Sequence, residues 1–131
     1  MNFITIIIGL ILAFVLMQVY LIIKSKRTVG KPIPFEKLND FVAEKIKNKK
    51  GLLYFFSPNC SSCKTQTPII EKLKNEFPNI ISIDLSKDIK TARAFSIMGT
   101  PAIVFVNNNF VDSIYLGVKT ETFIRNKFNN E

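Results

Sequence analysis

Histidine and tryptophan are both missing from this 131-residue chain, and cysteine occurs only twice, at Cys60 and Cys63. A zinc site needs four ligands, usually Cys and His. With no His and no third Cys, such a site within one chain is excluded and no metal is expected. Neither an internal repeat nor a low-complexity stretch occurs. No nucleic-acid-binding motif accompanies the net charge of +8, so nucleic acid is not expected as a partner.

Charge is missing from the first 23 residues, "MNFITIIIGLILAFVLMQVYLII", where only Asn2, Thr5 and Gln18 are strongly polar. A soluble helix would show one polar face, and this stretch has none. A cleaved signal peptide would carry a basic start, a shorter apolar stretch and a small-residue cleavage site. None of these is present. As a helix, Phe3–Ile23 would measure about 30 Å, the thickness of a bilayer's hydrocarbon core. Residues 1–23 are therefore expected to be an uncleaved transmembrane anchor, in contact with the lipid bilayer through residues 3–23.

Basic residues follow at once. Residues 24–50 carry nine Lys and Arg against three acids, a net +6, whereas residues 51–131 contribute about +2. Loops rich in Lys and Arg tend to stay cytoplasmic, which favours a single-pass protein with its domain on the cytoplasmic face. The translocated tail would be very short, so an extracytoplasmic domain is kept as the alternative. The basic segment either rests on anionic headgroups or is a solvated helix face in a Lys-rich sequence. Within it, "KSKRTVGKPIP", residues 24–34, is broken by Gly30, Pro32 and Pro34 and reads as a short tether.

The remaining residues, 35–131, alternate element types. "FEKLNDFVAEKIKNKK" places Phe35, Leu38, Phe41, Val42 and Ile46 at helical spacing. "GLLYFFS" is an apolar strand of the kind buried on both faces. "SSCKTQTPIIEKLKNEF" is helical, with Pro68 inside it. "NIISIDL" is a second strand and "DIKTARAFSIM" a short helix. "PAIVFV", "NNN" and "FVDSIYLG" form a hairpin, since Asn tolerates left-handed turn conformations. "KTETFIRNKF" closes the chain as a helix with Thr120 as its cap. This order implies an α/β layer structure with a mixed sheet.

The cysteine pair sits where the buried strand ends and a helix begins. A structural staple is a poor reading, because closing so short a loop removes little unfolded-chain entropy. With Ser57 or Asn59 as a cap, Cys60 would lie in the first turn. Free N–H groups and the helix dipole there favour an anion, and thiolate is the attacking species. Cys63, one turn on, can reach Cys60. A nucleophile at the tip with a resolving thiol behind it suits exchange through a mixed disulfide.

On these residues the sequence resembles the thioredoxin family over 35–131. "SPNCSSCK" after a hydrophobic strand matches the family's strand–CxxC–helix, and Pro68 matches the proline of its active-site helix. "MGTPAIVFV" matches the segment whose proline is cis and faces the disulfide, and "YLGVKTETFIRNKF" matches the last strand, its glycine and the closing helix. The resemblance implies a thioredoxin-like mixed sheet flanked by helices, here preceded by one transmembrane helix. It implies thiol–disulfide exchange with protein disulfide or dithiol partners, with Cys60 and Cys63 catalytic and no organic cofactor. It also implies a cis Thr100–Pro101 bond, with Thr100 and Pro101 docking the substrate chain. Read without the resemblance, Pro101 is a trans proline starting a strand.

The departures are local. Ser61-Ser62 stand where the family usually has Gly-Pro, and Asn59 where tryptophan is frequent. Tyr54 occupies the place of a buried acid, where core packing is favoured over proton handling. The family's first strand is absent or vestigial in "TVGKPIP". Two rivals are kept: an extracytoplasmic reductant for exported proteins or cytochrome maturation, and a redox-inert docking module of the same fold.

Overall fold

The computed structural model describes residues 2–26 and 28–130, with backbone alone at 25 and 26. Arg27 of the basic segment, the Lys26 side chain, Met1 and Glu131 lie outside the described residues. The first element, α1 (Phe3–Lys26), is a 24-residue apolar helix. Within it Phe3–Lys24 is long and apolar enough to cross a bilayer, and none of it is buried against the rest of the chain.

A four-stranded mixed sheet follows, built from β1 (Gly51–Phe56), β2 (Ile80–Asp84), β3 (Ala102–Asn107) and β4 (Phe110–Leu116), in the order β2-β1-β3-β4. β1 runs parallel to β2 and antiparallel to β3, and β3 pairs antiparallel with β4. Leu52 to Phe55 of β1 are fully buried, because helices cover both faces. On one face Leu53, Phe55, Ile81 and Val104 pack against α2 (Asp40–Ile46) and α4 (Ile89–Ala94) through Val42, Ile46, Ala92 and neighbouring Phe95. On the other, Leu52, Tyr54, Ile103 and Phe105 meet α3 (Cys63–Lys74) and α5 (Glu121–Asn129) through Ile70, Leu73, Ile124 and Phe128. Burial of each such side chain is worth about 1.5–3 kcal/mol. Two-sided coverage of β1 and β3 is thus the main source of stability.

The β3–β4 hairpin turns at Asn108 and Asn109, with φ of 50° and 72°, the left-handed pair that a two-residue turn requires. Thr120 caps α5 by accepting from the Phe123 N–H at 3.2 Å. The segment 35–50 differs from the single helix its spacing suggests. A 3-10 turn at Phe35–Lys37 stops, and Asn39 then caps α2 by accepting from the Phe41 N–H. The interruption shifts the register, so Leu38, Val42 and Ile46 reach the core while Phe41 is 59% exposed.

The segment read as a tether is docked over its last residues. The Gly30 N–H donates to the Val111 carbonyl at 2.7 Å, Val111 N–H to Lys31 at 3.0 Å, and Ile33 N–H to Asn109 at 2.9 Å. Ile33 is buried in the core. This short pairing, with one bridge between Pro32 and Phe110, takes the place of a first strand.

Candidate active site

Strand β1 delivers the chain to residues 57–62, two tight turns, before α3 begins at Cys63. Cys60 and Cys63 form a disulfide with Cα atoms 5.3 Å apart. Their surroundings differ: Cys60 is half-buried and Cys63 is 3% exposed. Cys60 is thus the more accessible of the two, and Cys63 is the one enclosed by the fold.

The helix start corrects one expectation. Cys60 precedes the first turn of α3 instead of lying in it, and neither Ser57 nor Asn59 caps the helix. Ser62 holds the cap position without a side-chain hydrogen bond, and Ser57 offers its carbonyl to the Cys60 N–H at 3.2 Å. The cap acceptor is sulfur: the Cys63 N–H donates to Cys60 Sγ at 3.1 Å. A helix N-terminus leaves its first N–H groups unpaired and carries positive partial charge. A sulfur so placed sits where an anion is favoured, and thiolate is the attacking species in exchange. The N–H donor expected at the helix start is thus present, with the sulfur one step outside the helix.

The Thr100–Pro101 peptide is cis. Pro101 is buried and Thr100 partly exposed. Ala102 pairs with Phe55 near the end of β1, which sets this segment at the same end of the sheet as Cys60. The Gly117 N–H donates to the Pro101 carbonyl at 2.9 Å. Gly117 has φ +84°, open to glycine at low cost. Among the described residues, no hydrogen bond engages the Thr100 N–H or carbonyl. Met98, two residues earlier, is 93% exposed.

Two side chains support the site from behind, and the first, Gln66, escaped the sequence reading. Gln66, one turn beyond Cys63, is fully buried. Its amide donates to the Lys119 carbonyl at 3.1 Å and accepts from the Lys119 N–H at 2.6 Å. Cys63, Gln66, Ile70 and Leu73 share the buried stripe of α3; a lone amide in that stripe was the available signal, since a buried amide requires partners. Gln66 ties the Cys63 helix to the loop that, through Gly117, holds Pro101.

Tyr54 is the second support. Its hydroxyl donates to the Cys63 carbonyl at 3.4 Å and shares a 2.9 Å hydrogen bond with the Thr67 hydroxyl. Burial pushes its pKa above 10.0, with the Thr67 contact opposing in part. The phenol is therefore neutral at physiological pH and braces the first turn of α3.

Residues 33–130 match the family model "Thioredoxin". The chain belongs to the thioredoxin family. With Cys60 and Cys63 joined in that fold, its domain is a thiol–disulfide oxidoreductase. The chain is 26% identical over 101 residues to a thioredoxin of Chlamydia pneumoniae, covering 76% of this chain and 95% of that one. It is 35% identical over 71 residues to NADPH-dependent thioredoxin reductase 3 of Arabidopsis thaliana, covering 52% of this chain and only 13% of that protein. The X-ray structure of Fasciola hepatica thioredoxin is similar in fold, with a TM-score of 0.60 and 22% identity over 70% of this chain and 88% of its own.

Proposed function

We propose that this protein is a membrane-anchored thiol–disulfide oxidoreductase acting on protein disulfides, with residues 1–23 as anchor, 24–34 as connector and 35–131 as reactive domain. The Cys60 thiolate attacks one sulfur of a partner disulfide. That S–S bond breaks, and the departing partner thiolate takes up a proton. Cys63, after giving up its own proton, then attacks Cys60 Sγ and releases the second partner thiol. Two electrons pass to the partner, and the Cys60–Cys63 disulfide is left behind. The reverse sequence oxidises a partner dithiol. Thr100, with its uncommitted backbone, pairs with the partner's extended segment beside Pro101.

The observation that carries the reading is the asymmetry of the pair, with Cys60 half-exposed beneath a helix N–H and Cys63 buried. Cys60→Ser is expected to abolish reduction of insulin disulfides, and Cys63→Ser to accumulate a mixed disulfide with the partner, seen as a non-reducing gel adduct. An unchanged insulin-reduction rate in the Cys60 variant overturns the assignment, whereas ordinary thiol reactivity of Cys60 would favour the docking-module reading.

Anchoring rests on the length and composition of Phe3–Lys24 and on its not being buried against the rest of the chain. The basic residues after it favour a cytoplasmic domain. Labelling of reduced Cys60 by a membrane-impermeant maleimide in intact cells would reverse that sidedness and support the extracytoplasmic reductant.

A further inference from the structure

The chain leaves α1 at Lys26 and is hydrogen-bonded to the domain by Gly30. Four residue steps span at most about 14 Å. If α1 is the anchor, the part of the domain around Gly30 lies close to the bilayer. That part is the end of the sheet opposite the disulfide. Gly30, Lys31 and Ile33 bond to Asn109 and Val111, at the β3–β4 turn and the start of β4. The Asn108 N–H donates to the Lys49 carbonyl at 3.3 Å, the Asn48 backbone N–H donates to Asn109 Oδ1, and the Asn109 side-chain amide donates to Asn48 Oδ1. The tether, the α2–β1 connection and the hairpin turn thus meet at one end. The disulfide and Thr100–Pro101 stand at the other, about 20 Å away along six-residue strands.

The chemistry of this end suits lipid. Lys31, Lys47 and Lys49 are exposed, and among the described residues none is in an ion pair. Lys45 is exposed here too, above the Phe41 ring. Glu44 lines a shallow groove with Lys45 and Lys49. Those four lysines outnumber that carboxylate, and the Asp112–Lys127 ion pair nearby is neutral. Phe110 is 50% exposed beside the docked tether, an apolar ring of the kind that interfacial segments bury at the headgroup–acyl boundary.

We propose that this end is a lipid-facing surface, its lysines seated on anionic headgroups, which holds the disulfide end upright and away from the bilayer. The proposal rests on the anchoring reading. It adds that the partner's cysteines belong to a water-exposed segment clear of the headgroups. Each lysine near an anionic surface strengthens its hold, and added salt weakens it.

The test uses the full chain in vesicles of phosphatidylcholine and phosphatidylglycerol containing headgroup-spin-labelled lipid. In a Cys60→Ser, Cys63→Ser background, a bimane reporter is placed at Asn107→Cys, at the far end, or at Met98→Cys, at the disulfide end. Strong quenching at position 107 and little at 98 is expected. Replacing the phosphatidylglycerol, or introducing Lys31→Gln, Lys47→Gln and Lys49→Gln together, should cut quenching at 107 by at least about half. Insulin reduction in detergent by the triple-lysine variant with its cysteines intact should match the parent. Equal quenching at both positions, or quenching at 107 indifferent to both changes, overturns the surface while leaving the anchor standing. Extraction of the chain by alkaline carbonate overturns the anchor, and the surface with it.

Discussion

The two ends of the sheet are built to opposite rules. At the far end, local backbone and amide groups are cross-tied: Asn48 to Asn109, Asn108 to Lys49, Gly30 and Ile33 to the hairpin. At the disulfide end no hydrogen bond among the described residues engages the Thr100 backbone, Met98 is 93% exposed, and Cys60 is only half-buried. The reactive end is nevertheless fixed from behind, by Gln66 on Lys119 and by Tyr54 on Cys63 and Thr67. A site that exchanges partners needs free groups on its outer surface, and it keeps its geometry by satisfying the buried layer beneath.

The sharpest way to break that contrast is Gln66→Met, which retains the shape and removes both hydrogen bonds. The half-exposed Lys119 N–H and carbonyl would lose their partners, at about 0.5–1.5 kcal/mol for each hydrogen bond. Loss of roughly 1–3 kcal/mol in urea unfolding is expected. If Gln66 also positions the loop beside Pro101, KM for a protein disulfide should rise while the rate with a small aromatic disulfide is kept. Equal losses with both substrates would reduce Gln66 to a stabilising role.

Asn109→Ala attacks the far end. It removes the paired bonds to Asn48 and puts a Cβ-bearing residue without a polar side chain at φ 72°. A stability loss of about 1–2 kcal/mol is expected, with insulin reduction in detergent unchanged. A comparable loss of activity would mean that the ends are coupled.

Tyr54→Phe is the mildest change, about 1 kcal/mol. Because burial raises the folded pKa, the phenol contributes stability that is present below pH 10.0 and is lost as pH climbs through the raised value. The parent should lose stability on that alkaline side more steeply than the Phe variant. If Tyr54 only braces α3, the pH profile of mixed-disulfide resolution should be the same in both. A shifted profile would make the phenol a proton carrier.

Much of this was legible in local pattern. An uncharged run, a doubly buried strand, the Asn-rich hairpin and the Thr120 cap each depend on neighbours a few residues away. The cysteine spacing before a helix likewise marked the reactive pair. What escaped depends on distant partners. Gln66 meets Lys119 across 53 positions and Asn48 meets Asn109 across 61, so no local periodicity announces either. The break at Asn39 was hidden because Phe35, Leu38 and Phe41 keep helical spacing through it, although Phe41 ends on the surface. The start of α3 was misplaced because a sulfur supplies the cap where Ser or Asn was expected.

The pH dependence of Cys60 alkylation in the reduced protein bears most directly on the central claim. If the helix N–H and dipole favour the anion, the midpoint should fall clearly below the ordinary thiol value of about 8.5, to roughly 7.5 or lower. A midpoint at or above about 8.5 would contradict it.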